Sequence, residues 1–210
     1  MKHYKLSFLT LLSVVFLFQS CIEHEVIPPP TPMVDLSCHF IGTINGTNLE
    51  LTENVNYYTG NATKNLNILP PPTLSSAAYN FEMSSATQMN SIKVVLGSAL
   101  WDASISATPD VNAFNAFHAT TTTPLYSTFG GTGFEVSYKD GNGMSWTSKQ
   151  NSVNPQDVQF TGILQESDAA GDYSKFVCSF NCYVYRQDPV TLLWDSIYIQ
   201  NGELRGWFQR

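Results

Sequence analysis

Apolar and polar residues alternate most regularly near the C-terminus. Between residues 173 and 187, Phe176, Cys178, Phe180, Cys182 and Val184 share one face, while Lys175, Ser179 and Asn181 share the other. A period of two with one apolar face predicts a strand lying half-buried on a core. Strand-like segments also span 158–166, 192–200 and 203–209, separated by Ser167-Asp168-Ala169-Ala170-Gly171-Asp172, Asp188-Pro189-Val190-Thr191 and Asn201-Gly202. The last pair is the strongest short hairpin signal, because a two-residue type I′ turn needs positive φ at both positions. These four segments predict an antiparallel meander.

Earlier in the chain, 36–44 places Leu36, Cys38 and Phe40 inward and turns at Asn45-Gly46 into 48–51. Residues 79–83 and 92–96 read as two further strands, and 134–138 and 144–147 flank a turn at Asp140-Gly141-Asn142-Gly143. Thr108-Pro109-Asp110 is a helix-start signal, with Thr108 as N-cap and Pro109 at the first helical position. Val111, Phe114 and Phe117 then recur every three residues, as in a short helix closing one end of the sheets. The expected fold is all-β, an antiparallel β-sandwich of about ten strands with one short helix. An up-and-down, lipocalin-like barrel is the alternative. The irregular stretches at 52–76 and 119–131 interrupt the hairpin rhythm that such a barrel would keep.

The N-terminus follows a different pattern. Lys2, His3 and Lys5 precede an almost continuous apolar run over 6–18. That run has the length of a secretory h-region and is too short to cross about 30 Å of hydrocarbon. Phe18-Gln19-Ser20-Cys21 resembles a bacterial lipobox, in which the cysteine is acylated and becomes the new N-terminus. Residues 1–20 are therefore expected to be a lipoprotein signal peptide, with Cys21 the lipidated residue. Pro28, Pro29, Pro30 and Pro32 follow, so 21–34 reads as an extended tether and 35–210 as the folded domain. Glu23 and Glu25 resemble the acidic export signal of surface lipoproteins. The expected location is the bacterial outer membrane, lipid-anchored, on the periplasmic face or the cell surface.

Two further segments carry a family resemblance. Phe40-Ile41-Gly42-Thr43-Ile44-Asn45-Gly46 and Ile199-Gln200-Asn201-Gly202-Glu203-Leu204 resemble motifs of uncharacterised Bacteroidetes-type lipoproteins with a single β-sandwich-like domain. The resemblance implies an envelope location and no particular activity.

Composition narrows the partners. Charged residues make up only 13% of the chain and the net charge is -7. Without a basic stripe to displace counterions from phosphate, nucleic acid is not an expected ligand. Of the four cysteines, Cys21 is assigned to lipid. Cys178 and Cys182 lie about 13 Å apart on one strand and cannot bridge each other. Cys38 could pair with Cys178 or Cys182; the alternative is three buried thiols behaving as small hydrophobes.

Catalytic and metal signals are weak. His39 is expected to face solvent, and His118 to end the helix, where a cation suits the dipole. Gly130-Gly131-Thr132-Gly133 lacks the lysine of a phosphate loop. Asp140-Gly141-Asn142-Gly143 begins like a calcium loop, but the far-end glutamate is missing. No cofactor, metal site or enzymatic activity is expected. Trp101, Tyr126, Phe129 and Trp146 fall in or near loops and are the candidate ligand-binding residues, with burial in the core as their alternative role. The chain thus reads as a non-catalytic envelope or surface lipoprotein binding a glycan or a partner protein, or as an assembly subunit of the envelope.

Overall fold

A computed structural model describes residues 33–127, 132–149 and 155–210 of the chain. The signal segment, Cys21, the tether as far as residue 32, Phe129 and Gly130-Gly131 lie outside the described residues, while Val34, expected to belong to the tether, is bonded to the domain through Asp168. From Met33 to Arg210 the chain forms one compact unit. Ten strands build it: β1 (His39–Ile44), β2 (Thr47–Thr52), β3 (Tyr58–Asn67), β4 (Ser75–Ser85), β5 (Ser91–Trp101), β6 (Gly133–Lys139), β7 (Ser145–Ser148), β8 (Asp157–Asp168), β9 (Gly171–Gln187) and β10 (Trp194–Gln209). One helix, α1 (Val111–Thr120), follows β5.

All strand pairs are antiparallel, in the order β2-β1-β10-β9-β7-β6-β5-β4-β3. The sheet ends at β2 and β3 without closing, so it is not an up-and-down barrel. The long strand β9 folds it over. One edge of β9 carries β10 along its length, while the other carries β8 up to Asn181 and then β7 at Val184 and Tyr185. The strands on either side of that switch face each other through aromatic side chains. Phe134 of β6 meets Phe160 of β8 edge-on at 5.6 Å, and Phe81 of β4 meets Phe176 of β9 at 5.9 Å and Trp207 of β10 at 4.9 Å. Edge-to-face contacts of this kind stabilise beyond the area they bury. At Gly206 a Cβ would come within 2.5 Å of the Phe81 ring, so only glycine lets β10 approach β4 this closely.

The alternation expected on β9 is present: Phe176, Cys178, Phe180, Cys182 and Val184 are buried. Three local expectations are corrected. Asn201-Gly202 is not a hairpin, because β10 runs through it as one strand. The register steps from Ile199↔Cys182 to Gly202↔Phe180, leaving one extra residue on β10. This is a bulge with Asn201 at φ 51°, and the glycine admits the Phe180 ring beside it. The strand lost by that merger is offset by β3, which lies inside the stretch expected to be irregular. Its inward positions include Gly60 and Ala62, too small to give an apolar signal. The helix begins later than expected: Asp110, not Thr108, is the N-cap, and its carboxylate accepts from Ala113 N at 2.8 Å.

Candidate functional site

The three described aromatic residues nominated from sequence do not share a groove. Trp101, Tyr126 and Trp146 are all buried. The Trp101 indole donates to Ser106 O, Tyr126 Oη to Asp157 O, and the Trp146 indole to Asp140 Oδ2. Register separates the two tryptophans. Trp146 pairs with Tyr138 and, through it, with Ile92 near the start of β5, whereas Trp101 ends that strand. Nearly the whole strand, roughly 30 Å, lies between them. Asp140 likewise spends its carboxylate on its own turn, accepting from Asn142 N, Met144 N and the Trp146 indole.

Cys38, Cys178 and Cys182 are buried free thiols, so the bridge considered from Cys38 is not formed. The register explains this. Phe40 pairs with Leu204 and Leu204 with Cys178, which puts β10 between the Cys38 strand and the Cys178 strand. Two strand spacings, about 10 Å, exceed the Cα separation a disulfide spans. Burial pushes the Cys38 and Cys182 thiols up to about 12 and raises Cys178 well above its ordinary value. None is poised as a nucleophile.

The two histidines differ in role. His39 is half-buried, with Nε2 2.9 Å from Glu50 Oε1. His118 lies in the last turn of the helix, as expected, but is not the cation expected there. It is 1% exposed, and its Nδ1 donates to Phe114 O at 2.9 Å. The rings of Tyr79, Phe114, Phe117 and Phe208 pack around it. Burial lowers its pKa to about 4, so it is neutral at physiological pH. With Nδ1 carrying the proton, Nε2 is an acceptor, and it has no partner among the described residues.

A cleft lies on the outward face of β3 to β6. Asn80 sits between inward Tyr79 and Phe81, so alternation turns it outward. In register with it across the sheet are Thr63, Val95 and Glu135. Here the outer face is hollow. Asn65, Asn67, Ser76, Asn80, Lys93 and Glu135 help line a cleft of about 400 Å³. Its floor buries polar side chains: Asn80 is 3% exposed and Glu135 8%. The Asn80 amide nitrogen donates to Thr63 Oγ1 at 3.2 Å, and its Oδ1 has no partner among the described residues. Lys93 also borders a shallower hollow beside Glu82, Ser137 and Thr147. Amides and hydroxyls that both donate and accept dominate this surface, with one ammonium near two carboxylates. It is suited to a neutral, hydroxyl-rich ligand. Alternation made these outward positions legible once β3 was recognised as a strand; the missed strand hid the cleft.

A second feature stands on the far half of the β9–β10 ribbon. Pairing of β1 ends at Ile44↔Ile199 and that of β7 at Thr147↔Tyr185, so the ribbon projects beyond both neighbours. Its outward face carries Tyr183 stacked on Tyr198 at 4.6 Å, then Tyr185 and Trp194. Lys149 Nζ lies 4.9 Å from the Tyr185 ring centroid and 2.7 Å from that of Trp194. The chain matches no protein-family model, no curated protein and no solved structure.

Proposed function

We propose that the protein is a membrane-anchored, non-catalytic envelope lipoprotein that binds a glycan in the cleft on β3 to β6. The observation carrying this reading is the cleft's rim of Asn65, Asn67 and Ser76 above a floor that buries Asn80. Side-chain amides pair with vicinal hydroxyls as donor and acceptor together, and the buried Asn80 Oδ1 supplies an acceptor awaiting a donor. The anchor is Cys21, carried before a proline-rich tether that holds the domain off the lipid. Binding is the favoured role because the cleft gathers one carboxylate, Glu135, where glycoside hydrolysis uses an opposed pair.

Two measurements test this. A glycan array probed with the full chain should show a ligand, and Asn65→Ala and Asn67→Ala should each weaken it about fivefold without lowering the melting temperature. Both side chains are exposed on an edge strand, so folding is spared. Binding unchanged in the double variant would remove the cleft from the function. Fatty-acid labelling that persists after Cys21→Ala would remove the anchor. An assembly subunit of the envelope is the second reading. It draws on the burial of Trp101, Tyr126, Trp146 and Trp207, which leaves no open aromatic groove among them. A stoichiometric envelope protein co-purifying with a chain that binds no glycan would favour it.

A further inference from the structure

We infer that the apex of the β9–β10 hairpin dips into the interfacial layer of a lipid bilayer, a contact separate from both the cleft and the acyl chains on Cys21. Exposure first marks the apex. Val190 is 87% exposed, Leu192 64%, Leu193 68% and Trp194 50%, all within five consecutive residues on a projecting ribbon. Isolated exposed leucines are ordinary on protein surfaces, but a contiguous apolar apex is not.

The backbone of the turn is the second observation. Lipid offers no hydrogen bonds, so a turn that enters it must satisfy its own polar groups. This one does so. Asp188 Oδ1 accepts from Val190 N and Thr191 N, both at 2.8 Å. Asp188 O accepts from Leu192 N, Asp188 N donates to Leu193 O, and Gln187 Nε2 donates to Leu192 O. The Asp188 carboxylate lies at the base of the turn with one oxygen committed to the backbone.

The third observation is a gradient along the ribbon. Val190, Leu192 and Leu193 hold the apex beside Thr191, followed by Trp194 with the Lys149 ammonium over its ring and Gln187 across from it, then Tyr185 opposite Ser196, then the Tyr183–Tyr198 pair, with the Arg186–Asp195 pair on the opposite face. Polar Asn181 and Asp157 come next, bonded to each other. Hydrocarbon, amphipathic ring with snorkelling cation, and wet polar surface is the order in which a bilayer interface changes with depth. A protein partner would impose no such order, and the net charge of -7 points to neutral headgroups.

Trp194 reports on the contact directly. Trp101, Trp146 and Trp207 are each at most 8% exposed, so collisional quenching by lipid falls on Trp194. The full chain is reconstituted with phosphatidylcholine vesicles carrying bromine near the headgroup end of the acyl chain. Emission should shift to the blue and be quenched, and Trp194→Phe should remove the quenched component. Leu192→Asp combined with Leu193→Asp should abolish the quenching while leaving the melting temperature in place, with the acyl chains on Cys21 still holding the protein on the vesicle. Trp194 emission that is unquenched in vesicle-bound protein, or quenched equally in the double aspartate variant, would overturn the inference. So would quenching that requires phosphatidylglycerol. Loss of glycan binding through Asn65→Ala leaves this readout untouched, so the two proposals fail separately.

Discussion

The two halves of the β9–β10 ribbon share the same strands and use opposite faces. In the first half the inward side chains matter: Phe176 and Phe208 stack at 4.5 Å beneath Phe81, and Cys178 and Phe180 are 0% and 1% exposed. In the second half the aromatic residues face outward instead: Tyr183 and Tyr185 run beside β7, and Trp194 stands where the ribbon has outrun both β1 and β7. On β9 the alternation runs from one to the other, while β10 passes the bulge at Asn201. What changes is whether a second layer lies over the ribbon, and hence whether the same apolar residues stabilise the fold or remain available to something outside it.

The sharpest way to break this contrast is to truncate one ring in each half. Phe208→Ala removes a ring packed against Phe176, His118 and Phe160, and should cost about 4 kcal/mol in urea unfolding at neutral pH. Tyr183→Ala deletes one member of a half-buried cross-strand pair and should cost about 1 kcal/mol or less. Equal losses would mean that the outer half contributes to stability as the core does.

Acid between pH 7 and pH 4.5 should act next most strongly, through His118 in the packed half. His118 lies against Phe208, and its folded pKa of about 4 is below the ordinary value of 6.5. The unfolded chain therefore takes up a proton near pH 6.5 that the folded chain refuses until about pH 4. Stability is complete above pH 6.5 and falls as pH drops through that window, by about 3 kcal/mol in all. Urea midpoints at pH 7 and pH 4.5 measure it. His118→Leu should flatten the slope, and a slope that persists would place the titration elsewhere.

How much of this was readable from sequence follows the same division. Where side chains are large and alternate, as on β9, the strand and its buried face were legible residue by residue. Where the inward residues are Gly60 and Ala62, the pattern disappears, because a small side chain packs under a neighbouring ring without announcing burial. Asn201-Gly202 misled for a related reason: positive φ at asparagine serves a bulge as well as a hairpin, and only the strands on either side decide which. The candidate site was less legible than the fold. The nominated Trp101, Tyr126 and Trp146 proved to be buried plugs, and Tyr183, Tyr185 and Trp194 face outward on positions that alternation alone could have assigned.

The smallest effect tests the outer half at its apex. Leu192 holds φ at 58°, a conformation that costs a branched L-residue about 1 kcal/mol and glycine almost nothing. Its side chain is 64% exposed and buries little against the fold. Leu192→Gly should therefore leave stability unchanged or raise it by about 0.5 kcal/mol, against the usual loss when leucine becomes glycine. The same substitution removes an apex side chain and should weaken the quenching of Trp194 by brominated lipid. A gain in melting temperature paired with a loss of membrane contact would mark Leu192 as strained for use, since strain persists where surrounding structure holds it and function needs it. A fall in stability would mean instead that the leucine packs within its own turn, and the apex would then belong with the buried half of the ribbon.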